Sequence, residues 1–154
     1  METGAAFSEC RTYRYALWRT WDKAQPRAMF VGLNPSTADE TKNDPTIRRC
    51  ISFAKDWGYG GVIVVNLFGF RATKPEDLFA AKRPVGPEND AWILRFAEEA
   101  AVVVAAWGND GKKMGRSSAV RQLVPGMMCL KVNKTGEPAH PLYQPKTAKP
   151  VPFL

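Results

Sequence analysis

The sequence predicts a single α/β domain over residues 1–154, a three-layer α/β/α arrangement around a four-stranded, mostly parallel sheet. Two observations carry this expectation. Short continuous apolar runs at 27–34, 60–68, 101–108 and 127–132 have the length of buried strands. Segments of helical period separate most of them, and an order of strand, helix, strand, helices, strand, helix, strand suits parallel pairing with helices on both faces.

Each element has a local reason. "YRYALWRTW" (13–21) alternates as a strand does, and the polar "DKAQP" joins it to "RAMFVGLN" (27–34), so these two are expected to pair as an N-terminal hairpin-like unit. "DPTIRRCISFAKDWG" (44–58) carries a capping Asp44, Pro45 at the first helical position and Gly58 as a left-handed stop. Its Ile47, Cys50, Ile51, Ala54 and Trp57 recur at helical spacing. "GGVIVVNLF" (60–68) reads as a strand covered on both faces. A short helix follows in "ATKPEDLFAA", with Thr73 as its cap, and a longer one in "GPENDAWILRFAEEA" (86–100), starting at Pro87. "AVVVAAWG" (101–108), the helix "MGRSSAVRQLV" (114–124) and the strand "MMCLKV" (127–132) complete the set. Residues 1–10 and 144–154 are expected to be irregular tails, and there is no internal repeat or linker.

Composition narrows the function classes. Twenty-two Lys and Arg against 15 Asp and Glu give a formal charge of +7, which favours polyanionic partners, nucleic acid (DNA above all) before acidic membrane surfaces, or else is a solvated cationic face. Cys10, Cys50 and Cys129 are widely spaced and form no CxxC pair. Three thiols and a single histidine are a poor set for zinc or an iron–sulfur cluster, so no metal and no cofactor is expected. No basic and apolar leader opens the chain, and no apolar run approaches the ~20 residues that span a bilayer. A reduced, cytoplasmic monomer without membrane attachment is the expectation.

In sheets of this kind ligands bind beyond the carboxyl ends of the strands. The loops there are "GLNPSTADE", "NLFGFRAT", "WGNDGKK" and "NKTGEPAHPLY". In the first, Gly32, Leu33 and Pro35 turn the chain, leaving Asn34, Ser36, Thr37, Asp39 and Asp44 near a cleft. An Asn or Asp there can orient a water and the hydroxyls can bind oxyanions; equally, Asp44 can serve only as a helix cap. Asp39 or Asp44 with a divalent cation, acting on a small nucleoside or nucleotide, is a further reading. Asn66 ends an apolar strand, where its amide offers the donor and acceptor that a base edge requires, or bonds a neighbouring loop. Arg71 can reach a phosphate or lie on the surface. Lys112, Lys113 and Arg116 form a positive segment suited to a nucleic-acid backbone or to solvent, without the spacing of a nucleotide-triphosphate loop. Trp107 ends an apolar run and is expected to pack. The only histidine, His140, lies between Pro138 and Pro141 and can donate to an atom that gains negative charge or act as acid or base.

Two resemblances follow. "YRYALWRTW", "FVGLNPSTADE", "NDPTIRRC", "VVNLFGFRAT", "PVGPEND", "AAWG" and "HPLY" together resemble a bacterial family known only as a domain of unknown function. More distantly, "GLNP" after the first core strand, Asn closing "VIVVN", "VVAAWG" and "AHPLY" resemble, in order, the four site loops of the uracil-DNA glycosylase superfamily. That resemblance implies a four-stranded parallel sheet between helices and hydrolysis of an N-glycosidic bond. In it Asn34 would position the water, Asn66 would read the base and His140 would stabilise the departing base. Leu142 or Tyr143 would wedge into the base stack, and Phe68 or Phe70 would take the place of the stacking aromatic that the first loop lacks. A non-catalytic nucleic-acid-binding module is the alternative.

Overall fold

Alternating apolar residues, buried to both sides, make the middle of one sheet. The computed structural model describes residues 1–154. Its strands are β1 (Glu2–Phe7), β2 (Arg14–Thr20), β3 (Arg27–Gly32), β4 (Gly61–Asn66), β5 (Val102–Ala105), β6 (Met128–Cys129) and β7 (Val151–Pro152). They lie side by side in the order β1-β2-β4-β3-β5-β6-β7. The inner strands β4, β3, β5 and β6 are parallel, with Gly32 opposite Asn66 and Val31 opposite Ala105. β2 runs antiparallel to β4, β1 antiparallel to β2, and β7 antiparallel to β6.

The architecture is therefore mixed α/β, with seven strands in one sheet where a four-stranded core and an added N-terminal strand were expected. β1 escapes a sequence reading because Gly4, Ala5 and Ala6 lack the branched side chains that mark strands. It forms on the open edge of β2, where a Cβ on Gly4 would sit only 2.5 Å from the Trp18 ring. Residues 1–10 are thus not an irregular tail. The C-terminal tail adds only β7, a short edge strand that tolerates Pro152. The expected pairing of 13–21 with 27–34 is also incorrect, since β4 inserts between β2 and β3. Six of the seven β2 residues are buried, as befits an inner strand covered by β1.

The helices are α1 (Pro45–Asp56), α2 (Pro75–Ala80), α3 (Asn89–Glu99) and α4 (Arg116–Leu123). α1 starts as its sequence dictates: the Asp44 side chain accepts from the Ile47 N–H at 2.9 Å, and Gly58 follows the helix at φ +87°. Thr73 does not cap α2, whose N-cap is Lys74 without a side-chain bond. α3 begins two residues beyond Pro87, where Asn89 Nδ2 donates to the carbonyls of Asn66 and Leu67 and ties the helix to the end of β4. β6 is shorter than "MMCLKV", because Val132 turns to bridge Pro138.

Each face of the sheet carries its own core. Ala28 and Phe30 of β3 with Val62 and Val64 of β4 pack against Ile47, Cys50, Phe53 and Ala54 of α1. Met29, Val31, Ile63 and Val65 pack with Leu78 of α2, Ile93 and Phe96 of α3 and Val120 of α4. The alternation follows from the two-residue period of a strand. Phe30, Phe53 and Trp57 stack with ring centroids 5.4–6.5 Å apart, and truncating a buried aromatic of this kind typically costs about 3–5 kcal/mol. This core fixes α1, and with it the rim of the cleft above the strand ends. No helix is long and apolar enough to cross a membrane.

Candidate functional site

Parallel strands deliver their following loops to one edge, and there the chain encloses a cavity of about 400 Å³. Its wall takes Gly32, Leu33, Asn34, Pro35 and Ser36 from the loop after β3, Asn66 from the end of β4, and Trp107 to Asp110 from the loop after β5. His140, Pro141 and Tyr143 come from the loop after β6, with Asp44, Thr46, Ile47 and Cys50 from the start of α1. The volume is that of a small-molecule site.

Asn34 has a fixed orientation. Its Nδ2 donates to the carbonyls of Pro35 at 3.0 Å and Ala72 at 2.8 Å, so both amide hydrogens are committed. What remains for a ligand is Oδ1, an acceptor suited to the O–H of a water. Asn66 is the reverse case. It is only 3% exposed, yet its Nδ2 has no partner. Leaving a buried donor unpaired costs about 1–3 kcal/mol. Gly32 on the neighbouring strand makes room for this amide, since a Cβ there would stand 2.7 Å from Asn66 Oδ1.

His140 caps a 3-10 turn, Pro141–Tyr143, with Nδ1 accepting from the Leu142 N–H at 3.2 Å. An Nδ1 that accepts a backbone proton places the ring hydrogen on Nε2. Burial lowers the His140 pKa, and the nearby Asp44 carboxylate only partly opposes that. The ring is therefore neutral at pH 7 with Nε2–H as a donor. Tyr143 stands over it, ring centroids 5.6 Å apart, and is 84% exposed. Pro141 is buried beneath the turn, and Pro138 accepts from the Gly108 N–H at 3.0 Å. The two prolines thus pin the loop on both sides of the imidazole.

A family model described as "Protein of unknown function (DUF1643)" matches residues 14–142. The chain belongs to that family. No curated protein and no solved structure matches it. The matched span of this DUF1643 chain takes in every residue lining the cavity except Tyr143.

Several sequence candidates lie elsewhere. Asp39 does not line the cavity: its Oδ1 accepts from the N–H groups of Thr41 and Lys42, which also lowers its pKa, and this holds the loop as a turn. Thr37 is exposed outside the cavity. Phe68 is fully buried edge-on to Phe79, and Phe70 packs on Tyr13, so neither is a stacking platform in the cleft. Arg71 lies over Phe7 and donates to the Arg11 carbonyl. Leu142 is half-buried behind the turn. Arg116 is buried, donating to the Leu67 carbonyl and pairing with Asp90 at 2.7 Å, a structural tie between α4 and α3. Lys112 is exposed and Lys113 covers the Phe79 ring, both away from the cavity. Trp107 packs as expected, its Nε1 donating to Glu137 at 2.7 Å. Asp44 both caps α1 and lines the cavity. No group of three or more His, Cys, Asp and Glu side chains gathers as a metal site.

The cavity also holds residues that sequence reasoning missed. Arg14 opens β2, and because β2 runs against β4 its first residue arrives at the edge where β4 ends. It is 2% exposed, donates once to the Ala38 carbonyl at 3.1 Å, and leaves Nε without a partner. Burial pulls its pKa down to about 10, with Asp44 opposing, so it remains charged at neutral pH. Asp110 adds a half-buried carboxylate. An arginine inside the apolar "YRYALW" was the available signal for the first. A carboxylate two residues after "AAWG" was the signal for the second.

Proposed function

We propose that the chain is an enzyme that acts on a nucleobase, hydrolysing the N-glycosidic bond of a nucleotide in DNA or of a related nucleotide ligand. The observation that carries this reading is Asn66, a buried carboxamide with an uncommitted donor, in the same cavity as the Nε2–H of His140. Donor and acceptor side by side on one amide complement the hydrogen-bonding edge of a base.

The reaction follows from the atoms present. As the C1′–N bond loosens, its electron pair moves into the base, and the His140 Nε2–H donates to the base oxygen that gains the charge. Asn34 Oδ1 accepts one hydrogen of a water aimed at C1′, and the water oxygen forms the new bond. Asp44 or Asp110 takes up the second proton of that water. Tyr143, exposed at the mouth, would fill the gap that a flipped nucleotide leaves. The order of the four loops resembles that of the uracil-DNA glycosylase superfamily, which supports the same reading, including a parallel core of four strands between helices. Incubation with oligonucleotides carrying uracil or other altered bases, followed by alkali, should give strand breaks whose formation His140→Ala slows about 10²- to 10³-fold. Intact strands on every such substrate would oppose the reading.

A non-catalytic nucleic-acid-binding module is the second reading, favoured by the +7 charge. It predicts DNA binding that weakens with salt and is unchanged in His140→Ala.

A further inference from the structure

Arg14 is the one guanidinium in the cavity wall, and nothing in the protein neutralises it at contact distance. The fold contains four ion pairs, Arg11–Glu40, Lys23–Glu2, Arg27–Glu99 and Arg116–Asp90, and Arg14 is in none of them. Its single hydrogen bond goes to a neutral carbonyl. Asp44, also in the wall, acts on it only at longer range and has one oxygen committed to the Ile47 N–H. A buried cation with neither an ion-pair partner nor a full set of hydrogen bonds carries a desolvation penalty of several kcal/mol, which a ligand that supplies the missing charge would offset.

We propose that Arg14 is an oxyanion subsite that anchors the phosphate or phosphoester of the ligand at the β2 end of the cavity. A planar guanidinium suits this role because two parallel N–H bonds can meet two oxygens of one phosphate. Ser36 and Thr46 bring hydroxyls to the same wall. The wall then offers a charged group at Arg14 of β2 for the phosphate and, at the end of the neighbouring strand β4, the Asn66 amide for the base. The subsite itself stands on Arg14 alone, whereas the nucleotide nature of the remaining ligand rests on the reading proposed above. A buried anchor selects a phosphate that can enter the cavity, so a free mononucleotide or a strand terminus should fit better than an internal phosphodiester.

The test is calorimetric titration of wild type, Arg14→Met and Arg14→Lys with inorganic phosphate, a nucleoside and the matching nucleoside 5′-monophosphate. In wild type, phosphate should bind, and the monophosphate should bind at least 10-fold tighter than its nucleoside. Arg14→Met should erase both effects. Arg14→Lys, which keeps the charge without the fork, should lose most of the gain and serves as the second variant if the Met form does not fold. A monophosphate that binds no tighter than the nucleoside would overturn the subsite while leaving the base reading intact. Phosphate binding that persists in both variants would overturn it as well. Phosphate bound through Arg14 with no gain from the nucleoside would uphold the subsite and remove the nucleotide reading. Silence from all three probes would overturn both.

Discussion

Arg14 and Arg19 lie on one strand, both are buried, and their surroundings are opposite. Arg19 is 0% exposed and saturated: Nε donates to Asn43 Oδ1, one terminal nitrogen to the carbonyls of Gly4 and Trp18, the other to those of Asp39 and Lys42. It staples β1 and the 39–43 loop to β2. Arg14 makes one such bond and faces a cavity. The contrast separates a charge that organises the fold from a charge that the fold leaves available. Burial is common to both, and hydrogen-bond saturation is what differs.

The largest expected effect follows from Arg19. Arg19→Met removes the donor from five acceptors, and each one left buried and unpaired costs about 1–3 kcal/mol. Arg14→Met should leave stability unchanged or raise it by up to about 4 kcal/mol, because an apolar side chain replaces an uncompensated charge. Urea unfolding measures both. Equal losses at the two positions would erase the distinction.

A second expectation concerns activity. His140→Ala should lower the rate of base release about 10²- to 10³-fold, the usual effect of deleting one donor to a developing anion, with base release followed by chromatography. A variant as fast as wild type would remove His140 from the mechanism. Asn66→Leu extends the logic of Arg14 to a neutral group. Replacing the buried, unpaired amide with an apolar group of similar size should raise stability by about 1 kcal/mol while abolishing ligand binding. A loss of stability would mean that the amide is satisfied within the fold.

The smallest effect is a pH dependence. The His140 pKa is lowered in the folded protein by burial, so the unfolded chain binds its proton more readily. Stability is then full above the unfolded value near 6.5 and falls as pH drops through the folded value. Below it, a protonated Nδ1 no longer accepts from the Leu142 N–H, and the loop loosens. His140→Gln should flatten this part of a stability–pH curve; an unchanged curve would assign the slope to other groups.

The convergence of the four loops was legible because polar residues close or follow apolar runs, as at Asn34 and Asn66, with His140 further along the loop after the fourth run. Parallel pairing then carries those residues to one edge. Local signals also placed α1, through Asp44, Pro45 and Gly58. Arg14 was missed for another reason. Antiparallel pairing brings the start of β2 to the cleft edge whether its partner is β3 or β4, but nothing within "YRYALWRTW" says that the Arg14 side chain lines the cavity with Nε unpaired. β1 was missed because its pairing depends on an edge supplied by β2. Asp39 misled in the opposite direction. A carboxylate in a cleft loop looks catalytic, but its oxygen closes a turn on Thr41 and Lys42. Arg116 and Phe68 misled in the same way, one paired with Asp90 and the other enclosed in the core.

The most direct test of the central claim is a proton–nitrogen correlation spectrum recorded while a nucleoside 5′-monophosphate is added. The Arg14 Nε–H and Asn66 side-chain amide signals should shift together and saturably, while the Arg19 Nε–H stays in place. Static Arg14 and Asn66 signals, or an Arg19 signal that moves as far as they do, would contradict the claim.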